Sequence, residues 1–235
     1  MTCIFVAGTD TDVGKTLVST ALLYRVAAAG IQSLAMKPVA AGAEMTTAGW
    51  RNEDAQQLHA HITVSDVAYE QLNPVCLAPP VAPHLAAEEV GETLSVAQLT
   101  AAFNQLRGHY THDLMIVEGA GGWLVPLNDH ETLADFACAI KPKVILVVGL
   151  KLGCLNHTLL TLADMQQRGI EVVGWVANQV TAEGMLLQAE NLAWLKRRLA
   201  PPLLATLPYL PEASAAAAAA YLPASHELMS VLQGN

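Results

Sequence analysis

Apolar residues in this chain alternate between short unbroken runs and longer stretches in which they recur at helical spacing. Unbroken runs mark strands buried on both faces, and the helical recurrence marks helices packed on a sheet. The run opening at Cys3 leads into a helical pattern from about Lys15 to Ala29, which Gly30 stops. Gln32 to Val39 reads as a second strand ending at Lys37-Pro38. Ala40 to Trp50 is small and irregular, Arg51 to His61 has helical character with acids in its first turn, and residues 62–92 are loop-like with four prolines. That proline-rich segment, Pro74 to Pro83, is either a cover over a substrate or a long surface connection.

The alternation then becomes regular. Leu94 to Leu106 is helical, Asp113 to Glu118 a strand, Thr132 to Ile140 a helix, and Val144 to Val148 a strand. Asn156 to Arg168 is a helix stopped by Gly169, Val172 to Ala177 a strand, Glu183 to Leu199 a helix, and Leu203 to Leu207 a strand before Pro208. This order predicts an α/β fold with a mostly parallel sheet, helices on both faces, and ligands at the carboxyl ends of the strands. The length of 235 residues fits one such domain over the whole chain, 1–235. The alanine run Ala215 to Ala220 is a helix or an ordered linker, with no function attached.

Between the first strand and the first helix lies Gly8-Thr9-Asp10-Thr11-Asp12-Val13-Gly14-Lys15-Thr16. Free N–H groups at a helix start, with the positive end of the helix dipole behind them, attract phosphate oxygens. Gly14 permits close approach, Lys15 reaches the β and γ phosphates, and the Thr16 hydroxyl suits Mg²⁺. The spacing departs from G-x-x-x-x-G-K-[ST]: the first glycine position holds Thr9, and Gly8 lies one residue earlier. This is a variant phosphate loop, in the strand-turn-helix setting that the chemistry requires.

Charge narrows the partners. With a formal net charge of −9, the chain does not attract a nucleic-acid backbone or an anionic membrane, so bound phosphate must be held locally. An apolar fraction of 53% with 14% charged residues suits a large core and a subunit interface. Cys3, Cys76, Cys138 and Cys154 are scattered without metal-ligand spacing, so buried free thiols in a reducing cytosol are expected. The start of the chain lacks a basic leader and no run approaches a membrane span, which predicts a soluble, cytoplasmic protein. His59 with His61, and His109 with His112, lack a third metal ligand nearby.

Four residues at strand or helix ends carry candidate chemistry. Glu118 closes an apolar strand, where a phosphate-loop protein keeps the acid that orients Mg²⁺, and Gly119, Gly121 and Gly122 follow it without side chains. Asp54 opens a helix; it is a metal ligand or a first-turn acid, with Glu53 competing for the role. Thr16, Asp54 and Glu118 make the hard oxygen set that Mg²⁺ prefers. Lys37 is a snorkelling strand-end lysine or a second ammonium that stabilises charge on a transferred phosphoryl group beside Lys15. Asn178 has an amide able to pair with an adenine edge, and is equally a routine turn residue.

The segments 8–16, Lys37 to Ala40, Arg51 to Ala55, Val117 to Trp123, Val147 to His157 and Gly174 to Asn178 resemble, in order, those of the dethiobiotin synthetase family. Glu118 to Trp123 and Lys151 to His157 are the selective ones; the first motif is shared with other variant phosphate-loop proteins. The resemblance implies an ATP- and Mg²⁺-dependent ligase that closes 7,8-diaminopelargonate with CO₂ to dethiobiotin, through a carbamic-phosphoric anhydride. It assigns Asp12, Val13, Gly14, Lys15, Thr16 and Leu17 to the phosphates and Thr16, Asp54 and Glu118 to Mg²⁺. Glu118, Gly119, Ala120 and Gly121 would face the nucleotide. Lys37, assisted by Lys15, would be the catalytic cation, with Thr11 near the substrate. Asn178, Gln179, Pro208, Tyr209 and Leu210 would frame the adenine.

The resemblance also implies a homodimer in which Gly153, Cys154, Leu155 and Asn156 present a helix start to the neighbour's substrate carboxylate. Ala41 stands where a substrate-touching serine is expected, which leaves only backbone contact there. Gln179 replaces an expected acid. The rival reading is a nucleotide-dependent switch of the partition and cell-division group. Such proteins usually carry a further lysine inside the loop, and Thr9 to Val13 contain none. An amide-forming ligase acting on cobyrinic acid would need a glutaminase domain that the length does not accommodate. A binding module without turnover would leave Lys37 and two acids without a purpose.

Overall fold

A computed structural model of the chain describes residues 1–233. In chain order it runs β1 (Thr2–Gly8), α1 (Lys15–Ala27), β2 (Ser33–Met36), β3 (Val39–Ala41), β4 (Glu44–Thr46), β5 (Gly49–Arg51), α2 (Glu53–His61), α3 (Tyr69–Leu72), β6 (Val75–Leu77), α4 (Pro83–Glu88) and α5 (Val96–His109). The second half adds β7 (Leu114–Glu118), α6 (Leu133–Ile140), β8 (Lys143–Gly149), α7 (Cys154–Gln167), β9 (Val172–Asn178), α8 (Gln188–Arg198), β10 (Leu203–Leu207), α9 (Ala215–Ala219) and α10 (Ser225–Gln233).

Six strands form one sheet in the order β10-β9-β8-β1-β7-β2, and every adjacent pair is parallel. Parallel strands need crossovers, and the crossovers cover both faces, which is why β1, β7 and β8 are apolar almost throughout and buried. The chain leaves β1 toward β2, returns through β7, and then crosses to β8 on the other side. The resulting reversal opens a crevice at the carboxyl ends of β1, β7 and β8. One continuous apolar core extends from Ile4 in β1 to Leu232 in α10.

The structure departs from the sequence reading mainly between residues 37 and 92. The second strand does not run to Val39: β2 ends at Met36, where Pro38 has no N–H to give and the Lys37 N–H turns to Leu72 O at 2.8 Å. The stretch read as irregular holds β3 and the antiparallel hairpin β4–β5, and the stretch read as loop holds α3, β6 and α4. β3 pairs in parallel with β6, Val39 opposite Val75. Segments of three residues are too short to show alternation, and β3 and β6 are also distant from each other in sequence.

Elsewhere the differences lie at element ends. The helix expected from Glu183 starts at Gln188, because Gly184 and Leu187 adopt left-handed φ angles of 69° and 54°. The alanine run is helical as α9, capped by Ser214, whose hydroxyl accepts from the Ala217 N–H, and it packs on α1. The helix α10 had no counterpart in the sequence reading. All four cysteines are free, but only Cys154 is buried outright. Among the described residues no helix is long and apolar enough to cross a membrane.

Candidate active site

The loop between β1 and α1 is moulded by what touches it. Val13 is fully buried, and a Cβ on Gly8 or Gly149 would lie 2.8 Å from its methyl groups, so these two strand-end glycines make its seat. Gly14 has φ 93°, and a Cβ there would lie 2.3 Å from Asn178 Nδ2. Asn178, at the end of β9, is itself buried and donates to Val13 O at 2.9 Å. No side chain caps α1, which leaves its first N–H groups facing the crevice.

Lys15 follows in the first turn of α1, buried, with Nζ donating to Asp10 O at 3.1 Å. Burial, and then the nearby Lys37 ammonium, pull its pKa down to about 8. Asp10 in turn accepts from Lys151 Nζ at 2.7 Å, linking the loop to the turn before α7.

The second cation sits opposite. Lys37 Nζ donates to Glu118 Oε1 at 2.6 Å, Asp54 Oδ2 at 2.8 Å and Gly119 O at 3.3 Å. Burial disfavours the charge on Lys37, but the two carboxylates outweigh it and hold the pKa above that of an ordinary lysine. Asp54 shows the mirror image: burial raises its pKa, and Lys37 with Thr16 brings it below the usual carboxylate value. Asn52 caps α2 by accepting the Ala55 N–H, which sets Asp54 in the first turn facing Lys37. Glu53 is exposed and accepts from Gln57 instead, so the structure separates the two competing acids.

Thr16 Oγ1 donates to Glu118 Oε1 at 2.8 Å, so the expected metal set, Thr16, Asp54 and Glu118, converges around one ammonium. Glu118 is fully buried and its Oε2 has no hydrogen-bond partner, an arrangement that favours a cation beside it. Among the described residues no group of three His, Cys, Asp or Glu converges. A hydroxyl and two carboxylates are hard oxygen donors, of the kind that would suit a divalent ion completing its shell from water and phosphate oxygens.

Several of these groups line a cavity of about 1060 Å³. Its lining includes Thr11, Asp12, Gly14, Lys15, Thr16, Lys37, Asp54, Ala120 and Gly121. Ala40, Ala41, Pro80 to Pro83 and Leu124 to Pro126 add apolar lining. Of the proline-rich segment, Pro80 to Pro83 line this cavity.

Other expected site residues lie off this wall. Gly119 packs on Phe5, whose ring a Cβ would meet at 3.1 Å. Val13 and Leu17 point into the core. Gln179 N donates to Leu207 O at 3.0 Å, so Asn178, Gln179, Pro208, Tyr209 and Leu210 gather at the adjoining ends of β9 and β10. The Gln179 amide is spent on its own loop, donating to Thr181 O and Ala182 O and accepting from Gln188. Gly153, Cys154, Leu155 and Asn156 open α7 away from the cavity lining.

The sequence reading missed Asn52, Asp10 and Lys151 at the site, and the part played by Trp123. An N-cap signature before Glu53-Asp54 could have found Asn52. Asp10 and Lys151 are separated by 141 positions and give no local signal. Trp123 anchors the glycine-rich turn after β7: its Nε1 donates to Asp164 Oδ2 at 2.6 Å and its ring packs edge-on against Phe5.

A family model described as an AAA domain matches residues 2–217. The chain is 47% identical over 218 residues to the ATP-dependent dethiobiotin synthetase BioD of Aromatoleum aromaticum, covering 93% of this chain and 95% of that protein. It is 46% identical over 222 residues to the protein of the same name from Pseudomonas aeruginosa, covering 94% and 96%. Among solved structures, the septum site-determining protein MinD with Mg-ADP from Pyrococcus horikoshii aligns over 99% of this chain and 95% of its own, with TM-score 0.57 and 16% identity. That likeness carries the phosphate-loop fold alone.

Proposed function

The chain belongs to the dethiobiotin synthetase family, and from that premise we propose that its cavity closes a vicinal diamine to a cyclic urea at the expense of ATP. As a member it is a ligase of biotin biosynthesis. A carbamate formed from CO₂ and one amine of 7,8-diaminopelargonate attacks the γ-phosphorus of ATP, and ADP leaves. The second amine attacks the carbonyl carbon of the resulting carbamic-phosphoric anhydride, and phosphate leaves as the urea ring closes.

One observation carries this reading: two buried ammonium groups, Lys15 and Lys37, and the Asp54 carboxylate line a cavity that is also lined by apolar side chains, with Glu118 buried against Lys37. The polar lining fits a triphosphate; the apolar lining, along Ala41, Pro80, Val81, Leu124 and Val125, fits the hydrocarbon chain of the diamine. Lys15 and Lys37 stabilise the charge that develops on the transferred phosphoryl group. Thr16, Asp54 and Glu118 would hold Mg²⁺, which neutralises phosphate charge when bound. Thr11 and the Ala41 backbone contact the diamine, while Asn178, Gln179 and Pro208 to Leu210 frame the adenine. The enzyme acts in the cytoplasm as a homodimer, in which Gly153 to Asn156 serve the neighbouring site. Leu152, exposed just before that helix, and Leu160, exposed midway along it, are consistent with such a contact.

The test is phosphate release from ATP with magnesium, diamine and bicarbonate supplied together and singly omitted. Turnover that needs all of them supports the proposal. Equal hydrolysis without the diamine would move the protein to the switch reading, which the lysine-free Thr9 to Val13 loop does not favour.

A further inference from the structure

Behind the cavity, one chain of buried hydrogen bonds joins the backbone of Lys37 to that of Asn52, the residue that caps α2 just before Asp54. It begins at Asn52, two residues before Asp54, whose N–H donates to Tyr69 Oη at 2.8 Å. Tyr69 Oη donates to Asn73 Oδ1 at 3.1 Å. Asn73 Nδ2 then donates to Lys37 O at 2.8 Å and to Val75 O at 3.1 Å. Asn52, Tyr69 and Asn73 are all buried, so no water replaces a lost partner cheaply.

The location of this chain matters more than its energy. Lys37 sits where β2 has left the sheet, and its backbone is held by the 72–73 segment on both sides, N–H to Leu72 O and C=O to Asn73. Asn52 caps α2, and its Nδ2 donates to Ala41 O at 3.2 Å, on the cavity lining. Arg51 lies over the Tyr69 ring, 4.1 Å from its centre, and holds the ring in place. Of Asn52, Tyr69 and Asn73, Asn52 alone lines the cavity.

We propose that Tyr69 and Asn73 are positioning residues for the phosphoryl-transfer step, setting the Lys37 ammonium against Asp54 and Glu118 through the Asn52-Tyr69-Asn73 hydrogen-bond chain. The proposal rests on the ring-closing reading for its kinetic test. A displaced ammonium loses its effect on developing charge steeply with distance, whereas the phosphate loop, held by β1 and β9, keeps its grip on the nucleotide.

The experiment compares Tyr69→Phe, Asn73→Ala and the double variant. Tyr69→Phe keeps the ring beneath Arg51 and removes only the hydroxyl. We expect Asn73→Ala to lower kcat on the order of 10²-fold and Tyr69→Phe about tenfold, with ATP dissociation constants changed less than about threefold. The double variant should fall no further than Asn73→Ala within about twofold, as expected of residues acting as one unit. Folded variants with parental kcat, or with kcat and nucleotide affinity falling together, would overturn it. A second readout does not use the reaction: the Lys37 ammonium resonance in ¹⁵N NMR, assigned by its loss in Lys37→Ala. Its slow proton exchange should speed up in both single variants. If the parent shows no diamine-dependent turnover, the ring-closing reading fails while this spectrum still decides the positioning role, and unchanged exchange in both variants would reject it.

Discussion

The phosphate loop and the segment from Lys37 to Pro83 face each other across one cavity, yet they are fixed in opposite ways. The loop is set by space: Val13 fills the seat left by Gly8 and Gly149, and Gly14 passes where Asn178 leaves no room for a Cβ. The facing segment is set by polar bonds across the sequence, with Asn73 and Leu72 holding the Lys37 backbone and Tyr69 holding Asn52. Steric requirements select glycine, which is conspicuous in a sequence. Long-range polar bonds select asparagine and tyrosine, which look like any turn.

The comparison breaks first at Lys37. Replacing it with alanine removes the ammonium and leaves Glu118 and Asp54 facing each other without it. Turnover should drop about 10³-fold, the scale of losing one preorganised charge stabiliser, while nucleotide affinity stays within about threefold. Single-turnover phosphate release with equilibrium binding of ATP checks both halves. Parental turnover would remove Lys37 from the mechanism.

Gly14→Ala attacks the other side. A left-handed alanine costs about 1–2 kcal/mol, and displacing Asn178 loses its bond to Val13 O, about 1 kcal/mol more. Denaturant unfolding should report a loss of about 2–3 kcal/mol, with ATP affinity reduced tenfold or more. Adding Asn178→Ala should relieve the clash but not the backbone term. Full recovery in that double variant would mean that φ 93° is not the constraint.

How much was legible follows from the same contrast. The parallel sheet, the phosphate loop, Glu118 and the strand-end positions of Lys37 and Asn178 could all be read, because apolar runs and glycines record local demands. Asp54 could not be told from Glu53 until α2 was oriented by Asn52. The pieces β3, β4, β5 and β6 left no periodicity, being three residues long, and β3 and β6 pair across a long stretch of sequence. Asn178 kept two readings open, and its buried bond to Val13 O assigns it a bracing part that composition did not reveal.

Lys15 gives a pH test of smaller size. With its pKa lowered to about 8 in the free protein, the ammonium that meets phosphate is full below that pH and lost above it. ATP affinity should weaken as pH rises through 8, approaching tenfold per unit, and Lys15→Gln should abolish the bend. The contribution to folding runs the other way. Between about 8 and the ordinary value of 10.5 the unfolded chain binds more protons, so Lys15 stabilises the nucleotide-free fold increasingly as pH rises. Melting temperatures measured with and without nucleotide would converge with pH if both signs hold.

The smallest effect is the most discriminating. Lys151 and Asp10 are joined at 2.7 Å, each about two-fifths exposed, and Lys151 is the first cause of the lowered Asp10 pKa. Because solvent screens such a pair, Lys151→Ala should cost less than about 1 kcal/mol of stability and less than about threefold in ATP affinity, with the difference shrinking at high salt. Asp10 also supplies the carbonyl that receives Lys15 Nζ, so the pair is a solvent-exposed long-range polar bond to the phosphate loop, beside the buried one from Asn178 to Val13 O. If the loop is held by packing, isothermal titration will find the affinity nearly unchanged. A tenfold loss would show that the loop, like the segment opposite, hangs on a side chain far away in sequence, and the contrast between the two regions would disappear.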